Sequence, residues 1–184
     1  MTRFSTPASI EASPPASRPL LEAVQKQFGV VPNIFRLIGN SPAALEGLLG
    51  LQGGLGKGAL DPATRSRIAV AVAEVNGCNY CLSAHSYIGK NLAKLSDDEL
   101  TANRDGGSVD AKANAAIQFA VKVVKTRGHV SNADVEALKK AGYNDAQIIE
   151  IVLHVGLNTL TNYINVVADT EIDFPVIKAR QQAA

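Results

Sequence analysis

The sequence predicts an all-α fold of seven to nine helices, and three observations carry that expectation. Apolar residues recur every three to four positions, capping residues stand before each such run, and no stretch alternates apolar and polar residues between hairpin turns. A chain of 184 residues with 46% hydrophobic content can build one core, so a single domain over residues 19–184 is expected.

The elements follow in order. Residues 1–18 are rich in Pro, Ser, Thr and Ala, a composition that predicts a flexible arm. Leu20, Leu21, Val24, Phe28 and Val31 then keep helical spacing until Pro32 interrupts it, and Ile34, Phe35, Leu37 and Ile38 resume it. Ser41-Pro42 and Asp61-Pro62 each set a capping side chain before a proline suited to a first helical position. Gly50, Gly53, Gly54, Gly56 and Gly58 between them predict a loosened helix end. Further starts are expected at Ser96 with Glu99, at Asp110, at Ser131 with Asp134 and at Asn144 with Gln147. Stops are expected at Gly89, Gly106-Gly107, Gly128 and Gly142. From 144 to 169, Ile, Val and Leu cover most of a helix's circumference, which places that helix at the centre or in a subunit interface.

The charge balance excludes two classes of partner. Eighteen basic residues are interspersed with 17 acidic ones for a net charge of +1. No concentrated field exists to hold nucleic acid or a membrane surface. The first residues hold no apolar run of signal-peptide length, and no 18 consecutive apolar residues follow, so a cytoplasmic protein is expected.

The chemistry lies in Glu74-Val-Asn-Gly-Cys78-Asn-Tyr-Cys81-Leu-Ser-Ala-His85. These are the only two cysteines, and a crosslink spanning so short a loop would stabilise little, so a redox pair is the better reading. On one continuous helix, Glu74, Cys78, Cys81 and His85 would share a stripe of roughly 60°. Alternatively, Asn76-Gly77 stops the helix and Cys78 opens the next, where free N–H groups would favour its thiolate. In either case His85 lies one turn beyond Cys81, placed to take its proton and hold the ion pair, and Glu74 is a candidate to orient His85 or relay a proton. A zinc site would need the same side chains to surround an ion, which one helical stripe does poorly. Tyr80 reads as a packing residue, His129 as a solvated turn residue and His154 as a core histidine, while Asn158, Asn162 and Asn165 either line a pocket or bond across an interface, the structural role being the better reading.

The string resembles the signature of the AhpD-like (alkylhydroperoxidase) branch of the carboxymuconolactone decarboxylase superfamily. The likeness extends to Val31-Pro-Asn-Ile-Phe-Arg, Ser41-Pro-Ala-Ala-Leu, Ala141-Gly-Tyr-Asn-Asp-Ala-Gln-Ile-Ile-Glu and Asn162-Tyr-Ile-Asn165, and covers roughly residues 28–176. It implies an AhpD-like helical bundle, homo-oligomers (dimer, trimer or hexamer), and reduction of hydroperoxides through a Cys-Cys-His-Glu relay. By matching position Cys81 attacks the peroxide and Cys78 resolves the sulfenic acid. No bound cofactor is implied; an external dithiol, lipoamide-like or thioredoxin-like, returns the pair to thiols. The alternative is a thiol-disulfide reductase or redox sensor that does not turn over peroxide. The resemblance departs at one point: the family's relay acid stands twelve residues before the first cysteine, a place held here by Ser66, with Glu74 the only acid nearby.

Overall fold

The computed structural model describes residues 2–180, and helix caps account for most of its boundaries. After a short 3-10 turn, α1 spans Arg18–Phe28, α2 Asn33–Ile38, α3 Pro42–Leu55, α4 Pro62–Val75, α5 Asn79–Asn91, α6 Asp97–Arg104, α7 Ala111–Thr126, α8 Asn132–Lys140 and α9 Asp145–Ala168. Among the described residues there is no strand. Ser41, Asp61, Ser96 and Asp110 each accept a backbone N–H of the first turn they precede. Ser131 with Asp134 and Asn144 with Gln147 form reciprocal capping boxes.

One glycine expectation holds only from Gly56 on, where the turn before Asp61 begins, and another is overturned. The α3 helix continues through Gly47, Gly50, Gly53 and Gly54 to Leu55, because its apolar residues still bury Leu45, Leu48 and Leu55. Gly89 does not end a helix but lies inside α5. A Cβ there would stand 3.1 Å from Leu100 Cδ2 and 3.2 Å from Ser66 Oγ. Its smallness lets α5 approach α4 and α6.

Helix α4 is the axis of the molecule, packing on α5, α6, α7 and α9. Its Ile68, Ala71 and Val72 join α7, α8 and α9 in one core cluster. Its Val70 and Ala73 join α5 and the C-terminal segment in a second. A third cluster ties α1, α2 and α3 together through Leu21, Val24, Phe35, Ile38, Leu45 and Leu48.

Residues 2–17, expected as a flexible arm, lie against the body. Arg3 N–H donates to Ala168 O at 2.7 Å, Asn40 to Ser5 O at 2.7 Å and Arg36 to Ala8 O at 2.6 Å. Ser13 and Ser17 are buried. The composition is disorder-like, but carbonyls of the arm are satisfied by side chains of α2 and the turn after it.

By length and composition α9 could cross a membrane. It packs instead on α3, α4, α5, α7 and α8, and its inward face carries His154, Asn158, Asn162 and Asn165, all buried. Its outward face exposes Ile149, Val152, Leu153, Leu160, Tyr163, Val166 and Val167.

Candidate active site

Helix α4 stops at Asn76, Gly77 takes φ +67°, and Cys78 caps α5. The single stripe expected for Glu74, Cys78, Cys81 and His85 therefore does not form, because Glu74 belongs to the helix before the break. Gly77 supplies the left-handed conformation the stop needs.

Both thiols are free and buried, Cys78 at 1% exposure and Cys81 at 2%. Cys78 Sγ accepts the Cys81 backbone N–H at 3.2 Å, the place an Asp or Ser oxygen takes at other helix starts. Asn165 Nδ2 of α9 donates to Cys81 Sγ at 3.2 Å. Burial alone would raise the Cys81 thiol, but the polar surroundings supplied by Cys78, the amides of Asn162 and Asn165 and the backbone outweigh it and hold the thiol below its ordinary value. Cys78 moves the other way, raised first because it donates to the Cys81 sulfur and then by burial. A helix start at Cys78 was expected to make that thiol the more acidic; the structure reverses the order. The helix N-terminus serves both sulfurs, and the donors from α9 reach only Cys81.

His85 follows one turn on and is half-buried. Burial lowers it from 6.5 to about 4, so its imidazole is neutral at physiological pH. It makes no hydrogen bond with either thiol, in contrast to the ion pair expected with Cys81. Ser66 lies on α4 across from Gly89, one turn beyond His85, and its buried Oγ has no hydrogen-bond partner.

Glu74 is 5% exposed and engaged elsewhere. Its Oε2 accepts from Arg104 Nε at 2.6 Å and its Oε1 from the Arg180 backbone N–H. The carboxylate ties α4 to α6 and to the C-terminal segment, and it makes no hydrogen bond with His85, Cys78 or Cys81.

That segment, residues 170–180, straps the start of α5. Ile177 N–H donates to Ser83 Oγ at 2.9 Å, Ala179 N–H to Asn79 Oδ1 at 2.9 Å, and Arg104 to Lys178 O at 2.9 Å. Phe174 meets the Tyr80 ring edge-on at 5.9 Å between centroids. Tyr80 is thus a packing residue whose hydroxyl accepts the Ile34 N–H at 3.2 Å. Among the described residues no three His, Cys, Asp or Glu side chains converge as a metal site would require.

Reading the sequence alone favoured a structural role for Asn162 and Asn165 and did not place either beside Cys81. Their signal was present: residues 154, 158, 162 and 165 follow helical spacing, so one face of an otherwise apolar helix is polar. A buried amide has to find a partner, and for Asn165 that partner is the Cys81 sulfur.

The carboxymuconolactone decarboxylase family model matches residues 42–126, the segment holding α3 to α7 and both cysteines. The structure superposes on the crystal structure of an uncharacterized peroxidase-related protein from Ralstonia eutropha JMP134, described as an alkylhydroperoxidase AhpD core. The TM-score is 0.83 at 27% identity, over 94% of this chain and 92% of that one. A second uncharacterized peroxidase-related protein, from Silicibacter sp. TM1040, gives a TM-score of 0.79 at 26% identity, over 92% and 91% of the two chains. The debrominase Bmp8 shares the fold, with a TM-score of 0.78 at 21% identity over 94% of both chains. No curated protein sequence matches with significance. Fold and matched segment agree with the signature at the start of α5, and the chain is similar in both to the AhpD-like proteins of the carboxymuconolactone decarboxylase superfamily.

Proposed function

We propose that the protein is a thiol-dependent peroxidase acting on hydrogen peroxide or small organic hydroperoxides. The observation that carries the reading is the asymmetry of the pair: Asn165 donates to Cys81 Sγ at 3.2 Å while Cys78 Sγ caps the helix start, which favours the thiolate at Cys81 over Cys78. The Cys81 thiolate attacks the terminal peroxide oxygen. A sulfur–oxygen bond forms, the oxygen–oxygen bond breaks, and the leaving oxygen takes a proton to become alcohol or water. Cys78 then loses its proton and attacks the Cys81 sulfenic sulfur, which expels water and leaves a disulfide. An external dithiol, a lipoyl group or a thioredoxin-like protein, returns both thiols by exchange. His85, neutral and one helical turn beyond Cys81, is the group assigned to move a proton for these steps.

The exposed apolar face of α9 supports a homo-oligomer. Seven large apolar side chains on one helix are more than monomers ordinarily leave to solvent, and a second copy of the same face is a partner of matching chemistry.

One observation favours a second reading, a thiol-disulfide reductase or redox sensor. Ser66 stands where a relay acid would support His85, and its hydroxyl is unpaired. Stopped-flow peroxide consumption with dithiothreitol or dihydrolipoamide separates the two. The peroxidase reading expects turnover by wild type, none by Cys81→Ser, and a dimedone adduct on Cys81 in Cys78→Ser. Full turnover by Cys81→Ser, or no adduct, removes it and leaves exchange.

A further inference from the structure

We propose that the side-chain amides of Asn162 and Asn165 form the binding site for the Cys81 thiolate, in the place that a charged imidazole would otherwise take. The inference rests on Cys81 being the nucleophile and says what makes it so.

Asn165 is 3% exposed and Asn162 fully buried, on the inward face of an apolar helix. Such amides cost free energy unless their N–H groups find acceptors. A neutral thiol is a weak acceptor, whereas an anionic one makes bonds about twice as strong as neutral pairs. Asn165 Nδ2 reaches Cys81 Sγ at 3.2 Å, and its Oδ1 has no partner, so its one side-chain bond is to sulfur.

Asn162 is oriented from outside the site. Its Oδ1 accepts from Asn76 Nδ2 at 2.8 Å, which leaves Nδ2 as the free end; that buried nitrogen has no hydrogen-bond partner, and the residue favours the thiolate of Cys81. Asn76 is the residue that ends α4. The break in the helix that puts Cys78 at the start of α5 therefore also aims the second amide.

The competing source of charge is missing. His85 is neutral and makes no bond with Cys81, and Ser66, not an acid, stands across from Gly89 one turn on. The Cys81 N–H is spent on Cys78 Sγ. What remains to balance a negative sulfur is the pair of amides, the Cys78 thiol and the helix start.

The test uses the full chain, reduced, and follows the pH dependence of iodoacetamide alkylation at Cys81 together with thiolate ultraviolet absorbance. Asn165→Leu removes the donor at similar volume, and Asn165→Asp replaces it with an acceptor. Both are expected to move the Cys81 midpoint up by about one to two pH units, the range for losing a hydrogen bond to a charged group. Alkylation at neutral pH falls at least tenfold. A merely structural asparagine would leave the midpoint in place. Should either variant fail to fold, wild-type NMR decides: the Asn162 and Asn165 side-chain amide signals move together with the Cys81 titration. An unmoved midpoint in folded variants, amide signals indifferent to that titration, or an ordinary Cys81 midpoint in wild type overturns the proposal. A low wild-type midpoint without peroxide turnover sinks only the peroxidase reading and leaves the amide site standing.

Discussion

Arg104→Met should cost about 3 kcal/mol of stability, and the reasoning can be followed from the geometry. Arg104 meets Glu74 at 2.6 Å, with 18% of the arginine side chain and 7% of the glutamate side chain exposed. Removing one member of a buried ion pair costs about 3–5 kcal/mol, because the other charge is left uncompensated. The residual exposure lets water reach the pair, so about 2–3 kcal/mol applies. Lys178 O also loses a donor, and the loss of one hydrogen bond adds up to about 1 kcal/mol. For a chain of 184 residues the sum lowers Tm by about 6–12 °C. Urea unfolding followed by circular dichroism measures it. In the Arg104→Met background, Glu74→Gln should return at least about 1 kcal/mol by removing the orphaned charge. A loss under about 1 kcal/mol, or a double variant weaker than Arg104→Met, refutes the assignment of Glu74 as a clamp.

Four further outcomes follow from the structure. Limiting iodoacetamide at neutral pH should label Cys81 before Cys78, by peptide mass spectrometry; Cys78 labelled first would contradict the order of the two thiols. His154 is held at about 4 by burial, against 6.5, so the unfolded chain binds the extra proton between those values. Stability is full above about pH 6.5 and lost as pH falls toward 4, by about 2 kcal/mol for His154 between pH 7 and pH 5; His154→Gln should flatten that slope in urea titrations, and an unchanged slope rejects it. Gly89→Ala gains about 1 kcal/mol of helix propensity but crowds Leu100 and Ser66 at 3.1 and 3.2 Å, an overpacking cost of about 1–3 kcal/mol, so a more stable variant would deny the close approach of α5. Finally, Leu153→Glu or Tyr163→Glu, on the outward face of α9, should shift light scattering toward the monomer mass.

The helix starts were legible because a cap is local chemistry: Ser131 with Asp134, or Asn144 with Gln147, is complete within four residues. The break at Asn76-Gly77 was legible for the same reason, though only the structure chose it over a continuous helix. Glycine was misread where tertiary packing decides, since nothing near Gly89 in sequence announces Ser66 and Leu100 across from it. In the site, the thiols and His85 share one short string. The groups that set the Cys81 proton come from α9, 84 positions away in sequence for Asn165. Glu74 was read as part of the string, yet its partners are Arg104 and the backbone of Arg180. Proximity in sequence assigned it to the thiols, and the turn at Gly77 took it away.

The strap of residues 170–180 bears on time as well as on shape. With Cys78 and Cys81 at 1% and 2% exposure, an oxidant meets sulfur only after the packing around the start of α5, of which the strap is one part, has shifted. Oxidation is then an opening followed by a collision. At low oxidant the observed rate rises in proportion to concentration, scaled by the fraction of molecules open. At high oxidant it levels off at the frequency of opening, and reagents of quite different intrinsic reactivity share that plateau. Such a ceiling would belong to Ser83, Asn79 and Arg104, which hold the strap, rather than to either cysteine.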